Sequence, residues 1–115
     1  MEGPSETSNE APMTKAMARL LKNITVRTLW IYVLAVLKDG PTYPYNVKKG
    51  IRERFSFSPP TVTLYTVMYR LEREGLIRKT DKGTYEVTEL GLQALKEGAR
   101  LLSELSRKIL DTTTS

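Results

Sequence analysis

The sequence predicts a mainly α-helical domain with one small β-hairpin and a long terminal helix. Three observations carry that expectation. Apolar residues recur at helical spacing in successive segments before Gly75. Asp81-Lys82-Gly83 then separates two short runs, Leu76–Thr80 and Thr84–Thr88, which read as strands joined by a bend with glycine in it. Beyond them Leu92, Leu95, Ala99, Leu102, Leu105 and Ile109 follow one another at 3, 4, 3, 3 and 4 residues, the spacing of a coiled-coil seam.

The elements follow in order. Residues 1–13 are acidic, polar and rich in small residues and proline, so they are expected to be a disordered tail. Residues 14–23 start a helix, with Ala16, Leu20 and Leu21 on one side and Lys15, Arg19 and Lys22 on the other. Residues 25–38 form a helix that is apolar nearly all round, which places it at the centre of the core. Asp39-Gly40-Pro41 stops it. A further helix opens at Thr42–Pro44 and carries Tyr45, Val47, Ile51 and Phe55 inward, with Lys48, Lys49, Arg52 and Arg54 mostly outward. Ser58 is a candidate N-cap and Pro59 a candidate first residue of the next helix. That helix runs to Glu74, burying Leu64, Val67, Met68 and Leu71 and ending at Gly75. Thr88 caps a last helix over residues 89–111, roughly 33 Å long. Residues 112–115 are expected to be a second disordered tail. Two coverings are open for the apolar seam of the last helix: a partner chain, or the first helix of the same chain.

Charge narrows the partners. All eighteen Lys and Arg lie beyond residue 12, whereas three of the thirteen acidic residues lie before it, so the body carries +8. A basic body of this size suits a polyanion. The chain has no cysteine and no histidine. That excludes thiol nucleophiles, imidazole acid–base chemistry and zinc ribbons. Glu72, Glu74, Asp81 and Glu86 form no pair suited to acid–base work, and the glycines are scattered at turns rather than gathered in a phosphate loop. No enzymatic activity, metal or cofactor is expected. The longest apolar run, residues 29–37, is far short of the roughly 20 residues of a membrane helix. No signal peptide is visible, and the expected setting is the cytoplasm, on nucleoid DNA, with no membrane partner.

The third helix of the body carries the clearest functional signal. Thr61, Thr63, Tyr65, Thr66 and Tyr69 are poor choices for helix stability alone. Hydroxyls at the front of a helix, with Arg70 and Arg73 further along, suit a surface covered in hydrogen-bond acceptors.

The element order is that of a winged helix-turn-helix domain with an appended C-terminal dimerisation helix. The residues resemble the PadR family of transcriptional regulators over about residues 25–105. Val33-Leu34-Ala35-Val36-Leu37 with Gly40-Pro41, then Thr63-Leu64-Tyr65, Leu71-Glu72-Arg73-Glu74-Gly75-Leu76-Ile77, and Tyr85, Val87, Thr88, Glu89, Gly91 and Leu95 carry the resemblance. Tyr43-Pro44 stands where the family has His-Gly, Pro60-Thr61-Val62 lengthens the approach to Thr63, and the wing is a shorter basic version.

The resemblance implies residues 14–88 as a DNA-binding domain and residues 89–111 as a dimerisation helix. In a helix-turn-helix the N-terminal residues of the recognition helix lie nearest the base edges. Thr61, Thr63 and Thr66 are therefore candidates for bases or phosphates, and Tyr65, Tyr69, Arg70 and Arg73 for phosphates. Lys79 and Lys82 on the wing, and Lys48, Lys49 and Arg52 on the preceding helix, are candidates for flanking phosphates. Structural roles stay open beside these: Tyr65 half-buried against Tyr45, Thr61 as a cap, Arg73 paired with Glu72 or Glu74. Leu92, Leu95, Ala99, Leu102, Leu105 and Ile109 are the candidate dimerisation residues. Trp30 and Tyr32, otherwise packing residues, are candidates for a small aromatic or hydrophobic effector of the kind PadR-like proteins sense. The implied function is a sequence-specific, homodimeric regulator of double-stranded DNA, read as a repressor. The alternatives are a non-specific architectural protein of the chromosome and a winged helix used to dock other proteins.

Overall fold

A computed structural model describes residues 13–114; the acidic segment 1–12, expected to be disordered, and Ser115 lie outside the described residues. The chain forms α1 (Lys15–Ile24), a 3-10 turn (Val26–Thr28), α2 (Leu29–Leu37), α3 (Pro44–Phe55), α4 (Thr61–Arg73), β1 (Ile77–Lys79), β2 (Tyr85–Val87) and α5 (Glu89–Asp111).

α2 is the centre of the core because its neighbours surround it: α3, α4, β2 and the first half of α5 all pack on it. Leu29, Ile31, Val33, Leu34, Val36 and Leu37 are buried. Val47 and Ile51 from α3, Leu64, Met68 and Leu71 from α4, and Ile77 from β1 complete the core. No polar or charged side chain is buried among the described residues.

The helix expected over residues 25–38 is broken at its start. The Thr25 hydroxyl donates to the Leu21 carbonyl at 2.7 Å, the Thr28 hydroxyl to Asn23 at 2.5 Å, and the Tyr32 hydroxyl to Ile24. Three side chains thus satisfy carbonyls that a continuing helix would have used. α1 leaves the domain at this joint and packs substantially only on the 3-10 turn. Its Met17, Leu20, Leu21 and Ile24 remain exposed. By length and composition the run Lys15–Leu37 is apolar enough to cross a membrane, but its α2 part is the buried centre of this domain.

α3 corrects one expectation. Val47 and Ile51 point inward, but Tyr45 is 73% exposed. Two helical steps turn a side chain by roughly 200°, so Tyr45 and Val47 cannot share a face. Phe55 is partly buried, and its ring and that of Phe57 each meet the Tyr32 ring edge-on at 5.0 Å. Arg54 closes the end of α3 onto Asp39 at 2.7 Å.

α4 begins at Thr61, with Pro60 at its N-cap (φ −60°, ψ 139°), two residues later than expected. Ser58 and Pro59 each precede a proline, which drives both out of the α region. Pro59 instead is a fully buried plug. Leu64, Met68 and Leu71 are buried as expected, and Val67 is half-buried. At the far end Gly75 takes φ +79°. Its N–H bonds to Glu72 at 3.0 Å and that of Leu76 to Leu71 at 2.9 Å, the paired closure that glycine permits.

The hairpin pairs Ile77 with Val87, Arg78 with Glu86 and Lys79 with Tyr85, one residue shorter at each strand end than the sequence suggests. Thr42 and Tyr85 exchange two backbone hydrogen bonds, 3.0 and 2.8 Å, which tie the hairpin to the chain entering α3. Thr88 caps α5: its hydroxyl accepts from the Gly91 N–H at 3.1 Å and donates to the Gly75 carbonyl at 2.6 Å. A Cβ on Gly91 would lie 2.1 Å from the Leu76 carbonyl oxygen, so glycine is what lets α5 seat on the hairpin. At the other end Thr112 and Thr113 form a turn, and the hydroxyls of Thr112, Thr113 and Thr114 donate to the Ile109, Leu110 and Asp111 carbonyls. A disordered tail was the expectation there; these hydroxyls take up helix-end carbonyls that would otherwise face only water.

Candidate nucleic-acid interface

α4 is amphipathic, and its solvent pole is the row Val62, Thr66, Tyr69 and Arg73, spaced 4, 3 and 4 residues, opposite buried Leu64, Met68 and Leu71. Thr61, Tyr65, Thr66, Tyr69, Arg70 and Arg73 are all exposed, whereas Thr63 is half-buried on the flank. The threonines differ in what remains free. Thr61 accepts from Lys48 Nζ at 2.7 Å. Thr66 donates to the Val62 carbonyl at 3.0 Å. Arg73 donates to the Tyr69 hydroxyl at 3.2 Å and lies over its ring at 5.7 Å, rather than pairing with Glu72 or Glu74.

α3 and the front of α4 enclose a cleft of about 230 Å³ lined by Tyr45, Lys48, Lys49, Arg52, Thr61 and Tyr65, among others. The cleft gathers three cations, two phenols and a hydroxyl. Tyr45 and Tyr65 both border it, 73% and 53% exposed. Tyr45, expected to face inward, instead joins the lining of this cleft.

The wing presents Lys79 and Lys82, both exposed. Lys79 Nζ sits 5.9 Å above the Tyr85 ring, and Arg78 is held by Glu86 at 2.7 Å. Thr80 and Thr84 join their hydroxyls across the turn at 2.7 Å, and the Tyr43 hydroxyl donates to the Lys82 carbonyl at 3.4 Å. The wing tip is therefore braced from the residue that precedes α3. Among the described residues Lys79 and Lys82 of the wing make no ion pair, whereas Arg78 is paired with Glu86.

The seam of α5 divides. Leu92 and Leu95 are half-buried, and α5 meets α2 and β2 of its own chain over this half. Ala99, Leu102, Leu105 and Ile109 are exposed, as are Leu101 and Leu110. A Cβ on Gly98 would approach Trp30 and Ile31 to 3.0 and 2.9 Å, marking where the intramolecular contact ends.

Trp30 borders a cavity of about 470 Å³ between the 3-10 turn, the end of α4 and α5, with Arg27, Val67, Arg70, Glu74 and Ala94 around it. Tyr32 does not reach it. Its ring packs between Phe55 and Phe57, and burial raises its hydroxyl's pKa above the ordinary phenol value. The structure brings Arg70 to the cavity that Trp30 lines and keeps Tyr32 away. Among the described residues no group of His, Cys, Asp and Glu is placed to hold a metal.

Comparison with known proteins gives a consistent picture. Residues 33–97 match the sequence profile described as the transcriptional regulator PadR-like family. A PadR-like transcriptional regulator from Bacillus cereus has a similar fold (TM-score 0.63, 20% identity, covering 84% of this chain and 98% of that one). So does a transcriptional regulator from Clostridium thermocellum (TM-score 0.62, 24% identity, 76% and 93%). A PadR family transcription regulator from Clostridium difficile is 25% identical, with TM-score 0.57 and coverage of 70% and 96%. No curated protein sequence matches the chain.

Proposed function

The chain belongs to the PadR-like family of transcriptional regulators, and we propose that it is a sequence-specific repressor that binds double-stranded DNA as a homodimer in the cytoplasm. The observation that carries this reading is the cleft between α3 and α4. It sets Lys48, Lys49 and Arg52 beside the hydroxyl-bearing front of a helix that stands clear of the core. Lysines and arginines there neutralise phosphates, while the first turns of α4 reach base edges. A non-specific architectural protein needs positive charge alone, and the pole of α4 carries a valine, a threonine and a tyrosine before its arginine. In this reading residues 14–88 bind DNA and residues 89–111 dimerise, through Leu102, Leu105 and Ile109 rather than through Leu92 and Leu95. The exposed apolar stripe of α1 supports a second copy as well: a ten-residue helix is marginal in water without a partner.

The cavity beside Trp30 supports a regulatory reading too. A small aromatic or hydrophobic effector seated there would touch Arg70, which also lies on the DNA-facing side of α4. Ligand and phosphate would then draw on one side chain.

Salt dependence tests the phosphate contacts. Log affinity against log salt should fall steeply for the wild type. Lys79→Ala and Lys82→Ala should each flatten the slope by roughly 1 per lost contact, hence by about 2 in the dimer, and weaken all duplexes about equally. Slopes unchanged in both variants would keep the wing off the DNA.

A further inference from the structure

We infer that the recognition helix reads thymine through methyl groups, with Val62 as the residue that determines specificity and Thr66 beside it. This rests on the proposed reading of α4 as the helix that enters the major groove. Val62 is 78% exposed, more than any other large apolar side chain among the described residues. A single exposed valine on a surface needs no explanation. This one stands in the first turn of α4, at the solvent pole, where a recognition helix comes closest to the base edges. It is β-branched, so it contributes little to the stability of the helix it opens.

Thr66 lies one turn further along the same pole. A threonine hydroxyl has a single proton to give, and that of Thr66 is given to the Val62 carbonyl at 3.0 Å. Thr66 therefore has no proton left for a base; what it offers is its methyl group and an acceptor lone pair. Two successive turns thus present branched methyls rather than donors. In the major groove the C5-methyl of thymine is the apolar feature by which a base pair is told from the others. Thr61, engaged by Lys48, and half-buried Thr63 stand to either side of this pole rather than on it.

The test removes one methyl at a time from the DNA. On a duplex chosen by selection from a random pool, each thymine of a half-site is replaced in turn by uracil, which differs only in lacking the C5-methyl. One buried methyl contact corresponds to about a fourfold change in affinity, and loss in both half-sites of a dimer to about fifteenfold. The wild type should lose that much at one or two thymines. Val62→Ala should bind the thymine and uracil duplexes equally at the position it reads, with binding to a scrambled duplex unchanged. Thr66→Ser, which keeps the hydroxyl and removes the methyl, should do the same at a neighbouring position. Val62 is exposed and alanine is the better helix former, so folding is spared. Indifference of the wild type to uracil at every position overturns the inference, as does thymine preference that survives both substitutions. Failure to select any preferred duplex would overturn it together with the sequence-specific reading. A preferred duplex without methyl discrimination overturns the inference alone.

Discussion

Replacing Leu102 and Leu105 together by lysine is expected to leave the protein monomeric at micromolar concentration and to remove tight operator binding, if α5 is the dimer interface proposed above. The two leucines are 45% and 49% exposed in the single chain, so the substitution costs the isolated fold little. In a symmetric pair of α5 helices each change counts twice. Full burial of a leucine contributes about 1.5–3 kcal/mol, so four of them, each already half covered, supply on the order of 3–6 kcal/mol. Lysine forfeits that and sets like charges face to face across the axis. Sedimentation equilibrium reads the oligomeric state, and circular dichroism checks that helix content is kept. A wild type already monomeric under these conditions, or a variant that still dimerises, contradicts the assignment. Leu95→Lys should behave differently, because that residue packs against the core of its own chain: it should unfold the domain rather than split a folded dimer.

The second large effect is expected at Gly91. Gly91→Ala places a Cβ 2.1 Å from the Leu76 carbonyl oxygen and 2.7 Å from the Val87 side chain. The first of these is backbone, fixed by the helix closure at Gly75 and by the hairpin, and it cannot step aside. Overpacking of this kind costs about 3 kcal/mol, offset by about 1 kcal/mol because alanine is the better helix former. A net loss near 2 kcal/mol lowers the melting midpoint of a domain this size by roughly 8–10 °C. Gly98→Ala is the control. Its Cβ meets only the far ends of Trp30 and Ile31, at 3.0 and 2.9 Å, which can shift. Its melting midpoint should move by a few degrees at most. Equal effects at the two glycines would mean that α5 is not seated where its first turn meets Leu76.

The contrast between these glycines shows what the sequence could and could not disclose. Gly75 and Thr88 were legible because each serves its own helix: a C-terminal closure and an N-terminal cap follow from local chemistry. The apolar helix over residues 29–37 and the hairpin around Gly83 were legible for the same reason, through periodicity and turn chemistry. Gly91 and Gly98 were not, because what they avoid belongs to other elements. The break at Thr25–Thr28 was hidden too, since it depends on the Tyr32 hydroxyl reaching back to Ile24. The late start of α4 was in principle readable, because two consecutive prolines hold Ser58 and Pro59 extended.

The candidate site follows the same division. The basic and hydroxyl-bearing residues of α3 and α4 announced themselves by type, and the structure brings Lys48, Thr61 and Tyr65 to one cleft. Which hydroxyls are free was not readable. Thr66 spends its proton inside the helix, and Thr61 accepts from Lys48. Val62 drew no attention as a type, because valine is ordinarily a core residue; only its exposure sets it apart. The seam of α5 was read as one stripe, yet its first half is intramolecular, since nothing in a heptad distinguishes a partner helix from the chain's own core.

Selection of bound duplexes from a random pool, carried out at low and at high salt, addresses the central claim of sequence-specific recognition. Specific contacts keep their preference as salt weakens all binding, whereas backbone contacts lose affinity without gaining any. The expected result is one motif with two-fold symmetry at both salts, its half-sites centred about one helical turn, roughly 10 base pairs, or a multiple of it apart. Recovery of no common motif at either salt, with all duplexes weakened alike as salt rises, would contradict it and leave a protein that binds DNA by charge alone.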